Sequence, residues 1–278
     1  MITISAFADE IAQDLTEQMD ICEANGVKCI DVRGIDGENC SKFSLSQVAE
    51  YKKRMDDRGF TMPCLGSPIG KIKMDDDFEA HLELLKHCAD VTKAFGSDRI
   101  RMFSFYPSEG KKIADQREAV FDRMAKMIDV AAQHDVVLYH ENEKGIYGAR
   151  PAGVKDLLET FGGDHFKGIF DPANYVEEDV KPYDDGWSQG LAEMTDYFHI
   201  KDKVPGEPTC CPAGQGKGQF DEIFADLAKR DFASYMTLEP HMKAAGQFEG
   251  FTGPELFSKA VAALKQTLEK AGIEYRTY

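Results

Sequence analysis

Short runs of β-branched and aromatic residues alternate along this chain with longer stretches whose apolar positions recur at helical spacing. The runs predict eight strands: Ile2–Phe7, Cys29–Arg33, Thr61–Gly66, Arg99–Phe105, Val136–Glu141, Phe166–Asp171, Asp196–Ile200 and Tyr235–Glu239. Between them, Leu15, Met19 and Cys22 form a stripe that stops at Gly26, and Ser44 with Gln47 reads as a capping box. Phe78, Leu82, Leu85 and Ala89 mark a helix running to Gly96; Phe121, Met124, Ile128 and Ala132 mark another. Pro254 opens a last helix, carried by Leu256, Ala260, Leu264 and Leu268 and closed by Gly272.

Eight strands alternating with helices in 278 residues is the arithmetic of a (β/α)8 barrel, typically about 250 residues. A doubly wound sheet alternates in the same way, but its first strand usually runs into a Gly-rich phosphate loop. Here the first strand runs into "FADEI", with no G-x-G-x-x-G and no Walker motif. A single TIM-barrel domain over residues 1–278 is therefore expected, with no linker or low-complexity segment to divide it.

Charge and cysteine usage narrow the partners. A net charge of −16 opposes binding to nucleic acid or to an anionic membrane surface. No apolar run approaches the ~20 residues that span a bilayer, and "MITISAFADE" lacks the basic and apolar regions of a secretion signal. Seven dispersed cysteines without a C-x-x-C suit free thiols in a reducing cytoplasm, and the Cys210-Cys211 pair reads as loop content.

In a barrel, the C-terminal strand ends converge on one face, where catalytic groups gather. The last four expected strands deliver Glu141, Asp171, His199 and Glu239 there, at intervals of 30, 28 and 40 residues. Taken singly, each has an ordinary explanation: a solvated loop glutamate, an Asp-Pro turn, a packed histidine. Taken together they are costly, because three carboxylates brought close would repel and be desolvated. A divalent cation resolves the conflict. Three oxygen donors and one imidazole suit Mn2+ best, with Mg2+, Co2+ or Zn2+ as alternatives.

The ordered set "HEN", "FDPAN", "HIKD" and "LEPH", with "GSPIGKI" after the third strand, resembles the xylose-isomerase-like TIM-barrel superfamily of sugar isomerases and epimerases. The resemblance runs over essentially the whole chain. It implies that Glu141, Asp171, His199 and Glu239 ligate one metal that holds a carbonyl and a neighbouring hydroxyl of a small polyhydroxylated substrate. It implies also that Glu141 and Glu239 exchange a carbon-bound proton through a metal-stabilised enediolate. A lyase of the inosose-dehydratase type begins with the same proton abstraction and stands as the alternative. A sugar-binding barrel without activity and a DNA-repair endonuclease rank lower. The endonucleases of this superfamily use extra histidines, whereas this chain offers Asn174, Arg33 and Ser67 at the corresponding places.

Further candidates for substrate contact are Asn174, Lys201, Asp202, Arg33, Arg101 and His241. Arg33 and Arg101 either meet an anionic group of the substrate or pair with structural acids such as Asp31. His241 reads as a supporting residue, and the "GQGKG" stretch at 214–218 as a flexible loop over the mouth. A homo-oligomer is compatible with the pattern, which marks no interface.

Overall fold

The computed structural model describes residues 1–230, 232–243 and 252–278. Among the described residues nine strands form: β1 (Thr3–Ala6), β2 (Cys29–Ile30), β3 (Gly34–Ile35), β4 (Glu38–Asn39), β5 (Arg99–Met102), β6 (Val137–Glu141), β7 (Phe166–Phe170), β8 (Thr195–Ile200) and β9 (Tyr235–Leu238). Seven of them make one parallel sheet in the order β2-β1-β9-β8-β7-β6-β5. The helices are α1 (Leu15–Ala24), α2 (Leu45–Asp56), α3 (Phe78–Phe95), α4 (Arg117–Gln133), α5 (Pro151–Phe161), α6 (Pro172–Glu177), α7 (Phe220–Leu227) and α8 (Pro254–Lys270).

The third expected strand, Thr61–Gly66, is present only as isolated bridges, which nevertheless close the barrel. Thr61 bridges Cys29, while Leu65 bridges Val32 on one side and Ile100 on the other. Leu65 bonds to β5 in both directions: its N–H donates to Arg99 C=O and its C=O accepts from Arg101 N–H, both at 2.9 Å. Pro63 explains the broken ladder: it carries no N–H to donate and sits between the two bridged positions.

Local chemistry set the helix ends. The Ser44–Gln47 capping box forms in both directions, Gly96 stops α3 at φ 87°, and Pro254 opens α8 at its first turn. One element escaped the sequence reading. β3 and β4 pair as a hairpin whose turn is Asp36-Gly37, both at positive φ (53° and 77°). An Asp-Gly dipeptide is a strong hairpin signal, but two-residue strands leave no alternation to accompany it.

Period-two alternation divides the core. Cys64, Tyr139, Ile169 and Tyr197 pack together inside the barrel. Their strand neighbours Leu138, Phe170 and Phe198 face the helices. Because Tyr139, Ile169, Tyr197 and Thr237 point inward, residues two further along must do so as well. Those residues are Glu141, Asp171, His199 and Glu239. Among the described residues, no helix is long and apolar enough to cross a membrane.

Candidate metal centre

Glu141 ends β6, Asp171 follows β7 as the N-cap of α6, His199 lies near the end of β8, and Glu239 follows β9. All four are buried, and one ligating atom from each lies within 4.8 Å of the others. Asp171 is fixed through its backbone. Its N–H donates to Asn142 Oδ1 and its C=O accepts from Asn142 Nδ2, both at 2.9 Å. Its Oδ1 caps α6 by accepting from Asn174 N–H at 3.1 Å, which leaves Oδ2 turned into the funnel. Asn174 Nδ2 also donates to Glu141 Oε1 at 3.3 Å.

Neither ring nitrogen of the fully buried His199 has a hydrogen-bond partner among the described residues; Nδ1 only approaches Glu141 Oε1 at 3.0 Å. Asp171 Oδ2 is likewise without a hydrogen bond. Buried polar atoms are almost always satisfied, so the two unbonded ring nitrogens of a fully buried histidine beside three carboxylates leave a place for a ligand. Three carboxylates and an imidazole, with these atoms unspent, fit a divalent cation.

Cations of the chain hold the carboxylates. Glu239 Oε1 accepts from Arg33 Nη1 at 2.7 Å, and Glu239 Oε2 from Lys201 Nζ at 2.7 Å. Lys201 Nζ stands 3.0 Å from Asp171 Oδ2 as well. Arg101 Nη1 reaches Glu141 Oε2 at 3.3 Å, while its Nη2 donates to Gly66 C=O at 3.1 Å. Burial by itself would raise every acid here, and the balance differs by site. At Glu141, His199 and Arg101 outweigh burial and hold the carboxyl below its usual range. At Glu239, Lys201, His241 and Arg33 do the same. At Asp171 burial prevails over Lys201, with Glu141 and Glu239 adding repulsion, and the carboxyl is pushed up to about 7.

Two participants had not been singled out in the sequence. Asp9 and Glu10 follow β1, and Arg33 Nε and Nη2 reach them at 2.7 and 3.0 Å. Glu10 is fully buried, and His241 Nε2 lies between it and Glu239, at 3.1 and 3.3 Å. The signal that marked the last four strands, acids just beyond an apolar run, was equally present in "FADE".

Arg33, Arg101, Asn174, Lys201 and His241 all line the funnel; Asp202 does not. Both oxygens of Asp202 are taken by backbone N–H groups: Lys203 and Gly218 on Oδ1 at 2.8 and 2.7 Å, Gly214 and Gly216 on Oδ2 at 3.0 and 2.8 Å. The 214–218 stretch is therefore pinned, not loose as its composition suggested. A Cβ on Gly216 would stand 2.4 Å from Asp202 Oδ1, so the cage requires glycine there. Nor does Asp31 pair with either arginine. It accepts from Ser5 Oγ, Tyr197 Oη and Thr237 Oγ1 beneath the funnel, at 2.7, 2.7 and 3.0 Å. His140 points away from the mouth, its Nε2 2.9 Å from Ser104 Oγ.

No curated protein sequence matches the chain. Solved structures match it end to end at low identity, which speaks to the fold alone. A probable 3-DHS dehydratase of Bacillus anthracis involved in petrobactin synthesis is 17% identical at a TM-score of 0.74, covering 95% of this chain and 99% of that one. A 3-keto-D-glucoside 4-epimerase from E. coli is 16% identical at 0.69, covering 96% and 98%. A xylose isomerase-like TIM barrel protein from Mycobacterium smegmatis, in complex with magnesium, is 13% identical at 0.70, covering 97% of both. The family model for the xylose isomerase-like TIM barrel matches residues 19–267, and the chain belongs to that family.

Proposed function

We propose that this chain is a divalent-metal-dependent enzyme that moves a carbon-bound proton next to a carbonyl of a small polyhydroxylated compound, as a sugar isomerase or epimerase does. The observation that carries this reading is the buried set Glu141, Asp171, His199 and Glu239, with neither ring nitrogen of His199 hydrogen-bonded among the described residues. Mn2+ suits that donor set, with Mg2+, Co2+ and Zn2+ as alternatives. When bound, the cation supplies polarisation of the substrate's carbonyl and hydroxyl oxygens and so lowers the cost of the charge that develops as the proton leaves.

The remaining work falls to the chain's own groups. Glu141 and Glu239 stay ionised despite burial, so each can accept a proton, but their low basicity leaves much of the rate to positioning. Arg33 and Lys201 fix Glu239 from two sides, and Asn174 with Arg101 fixes Glu141. Phe7 walls the funnel: its ring meets His199 edge-on at 5.0 Å, with Arg33 and Arg101 over it at 4.8 and 4.7 Å.

A dehydratase reading is favoured by one feature. The Lys201 ammonium, buried between Asp171 and Glu239, keeps its third N–H to offer to a departing hydroxyl. Elemental analysis of the purified protein beside Glu239→Gln, followed by solvent-deuterium incorporation into ketoses and inososes, tests both. An isomerase conserves the substrate's mass, while a dehydratase loses water. Absence of metal uptake on titration, together with no loss of exchange in Glu239→Gln, refutes the proposal.

A further inference from the structure

The barrel has a second cavity at its other end. About 670 Å³ opens at the N-terminal mouth, beside Cys29, Arg99 and Tyr235, the first residues of β2, β5 and β9. Tyr235 and Glu239 are four residues apart on one extended segment, so the two sites are separated by roughly 13 Å of strand. The interior layer of Cys64, Tyr139, Ile169 and Tyr197 lies between them.

The lining of this cavity runs against the charge of the chain. In a protein of net charge −16, its walls carry four cations, Lys28, Lys93, Arg99 and Arg276, against one acid, Asp98. At the rim, Lys28 pairs with Glu23 and Lys93 with Asp135, both exposed acids whose pairs water screens. The two guanidiniums are less well matched. Arg99 comes no nearer than 4.0 Å to Asp98; it meets Tyr139, its Nη1 donates to Pro63 C=O at 3.5 Å, and it lies 5.6 Å over the Tyr235 ring. Arg276 meets Tyr278 Oη at 3.5 Å and, among the described residues, has no carboxylate within ion-pair distance. Its position is nevertheless built. Arg276 N–H donates to Ile2 C=O at 2.8 Å and Ile2 N–H to Glu274 C=O at 3.1 Å, which ties the tail beneath β1.

We propose that this N-terminal cavity is a second ligand site, distinct from the metal centre, for a small phosphate-bearing anion. Two guanidiniums with no carboxylate closer than 4.0 Å among the described residues, beside two lysines, match a dianion, and guanidinium forks pair bidentately with phosphate oxygens. The volume far exceeds one phosphate and lies in the range of small-molecule pockets, so an organic body accompanies the anion. Tyr235 and Tyr278 line the space left for it. Concentrating cations in a concave wall of an acidic protein focuses the field there and draws the anion to that mouth.

Isothermal titration of the full-length, metal-free chain with inorganic phosphate, pyrophosphate, ribose 5-phosphate and AMP, beside a sulfate control, tests this. Binding of a phosphorylated compound is expected to weaken about tenfold or more in Arg276→Gln and to fall as salt rises. Arg99→Gln is the second variant, with circular dichroism and urea midpoints confirming that both fold. Glu239→Gln is expected to bind as the parent does. If the organic phosphates bind and inorganic phosphate does not, the organic body is part of what is recognised. If the phosphates bind no better than sulfate, the phosphate assignment is overturned. No heat with any phosphate, parental affinity in both arginine variants, or loss of binding in Glu239→Gln would each overturn the proposal.

Discussion

Arg33 and Glu239, 206 positions apart in the chain, meet at 2.7 Å where the barrel closes on itself. The same guanidinium holds Asp9 and Glu10, so one cation is shared by three acids at the ends of β1 and β9, with Lys201 and His241 assisting at Glu239. Removing it would leave buried like charges facing one another. Arg33→Met is expected to lower stability at neutral pH by about 3–5 kcal/mol, read from urea midpoints. Arg33→Lys should recover only part, because a single ammonium cannot serve three carboxylates through one planar fork. A loss under 1 kcal/mol in Arg33→Met would contradict this reading.

Metal should stabilise the folded chain through the four-residue set. A metal at about a hundred times its dissociation constant adds roughly 2.7 kcal/mol. The melting temperature of the wild type should therefore fall on chelation and return when Mn2+ is added. In Asp171→Asn and Glu239→Gln the shift should shrink or vanish. A full-sized shift in either variant would place the metal elsewhere.

Gly70 combines positive φ, 87°, with a very close backbone approach: a Cβ there would lie 1.9 Å from Phe103 C=O. Gly70 N–H donates to His81 Nε2 at 2.8 Å, and its C=O accepts from Phe105 N–H at 3.1 Å. Gly70→Ala must move that backbone, and a loss of roughly 3 kcal/mol or more is expected by denaturation. Soluble protein of parental stability would show that the loop yields freely.

His81 also sets an acid limit. Burial, with Arg123 nearby, lowers its pKa to about 4 from the ordinary 6.5, and its Nε2 serves as an acceptor. The unfolded chain then binds more protons than the folded one between those values. Stability is full above about pH 6.5 and is lost as pH falls towards 4. His140, pushed to about 4 by burial, adds to the same slope. His81→Gln should flatten the dependence of the urea midpoint on pH within that window, and an unchanged slope would assign it to other groups.

Asp202 organises the 214–218 loop through four N–H bonds. Asp202→Asn turns a donor toward those N–H groups. Hydrogen exchange at Gly214, Gly216 and Gly218 should accelerate about tenfold or more, with little change in β6 or β7. Unchanged protection would mean that the bonds do not hold the loop.

The elements and the principal cluster were legible because they follow from periodicity. Seven of eight expected strands appear, and the alternation that buries Tyr139, Ile169 and Tyr197 also aims Glu141, Asp171 and His199 inward. The strand at Thr61–Gly66 was read from its apolar residues, but Pro63 deprived it of a continuous ladder. Asp9 and Glu10 were passed over because no histidine or second strand-end motif accompanies them in the sequence. Only closure of the barrel brings them to Arg33 and His241.

What the sequence by itself determined is the order of strands and helices, the caps, and the four candidate metal-binding residues at successive strand ends. These depend on interactions within a few residues, or on a repeat that counts along the chain. Which charges neutralise which was decided only by the tertiary structure. Arg33 and Arg101 could have met Asp31; instead three neutral hydroxyls satisfy Asp31, and the arginines turn to Glu239 and Glu141. Asp202, next but two to His199 and read as a funnel residue, bonds instead to the glycine loop. Partner choice between ionic groups depends on distances across the barrel, and no spacing along the chain encodes those distances.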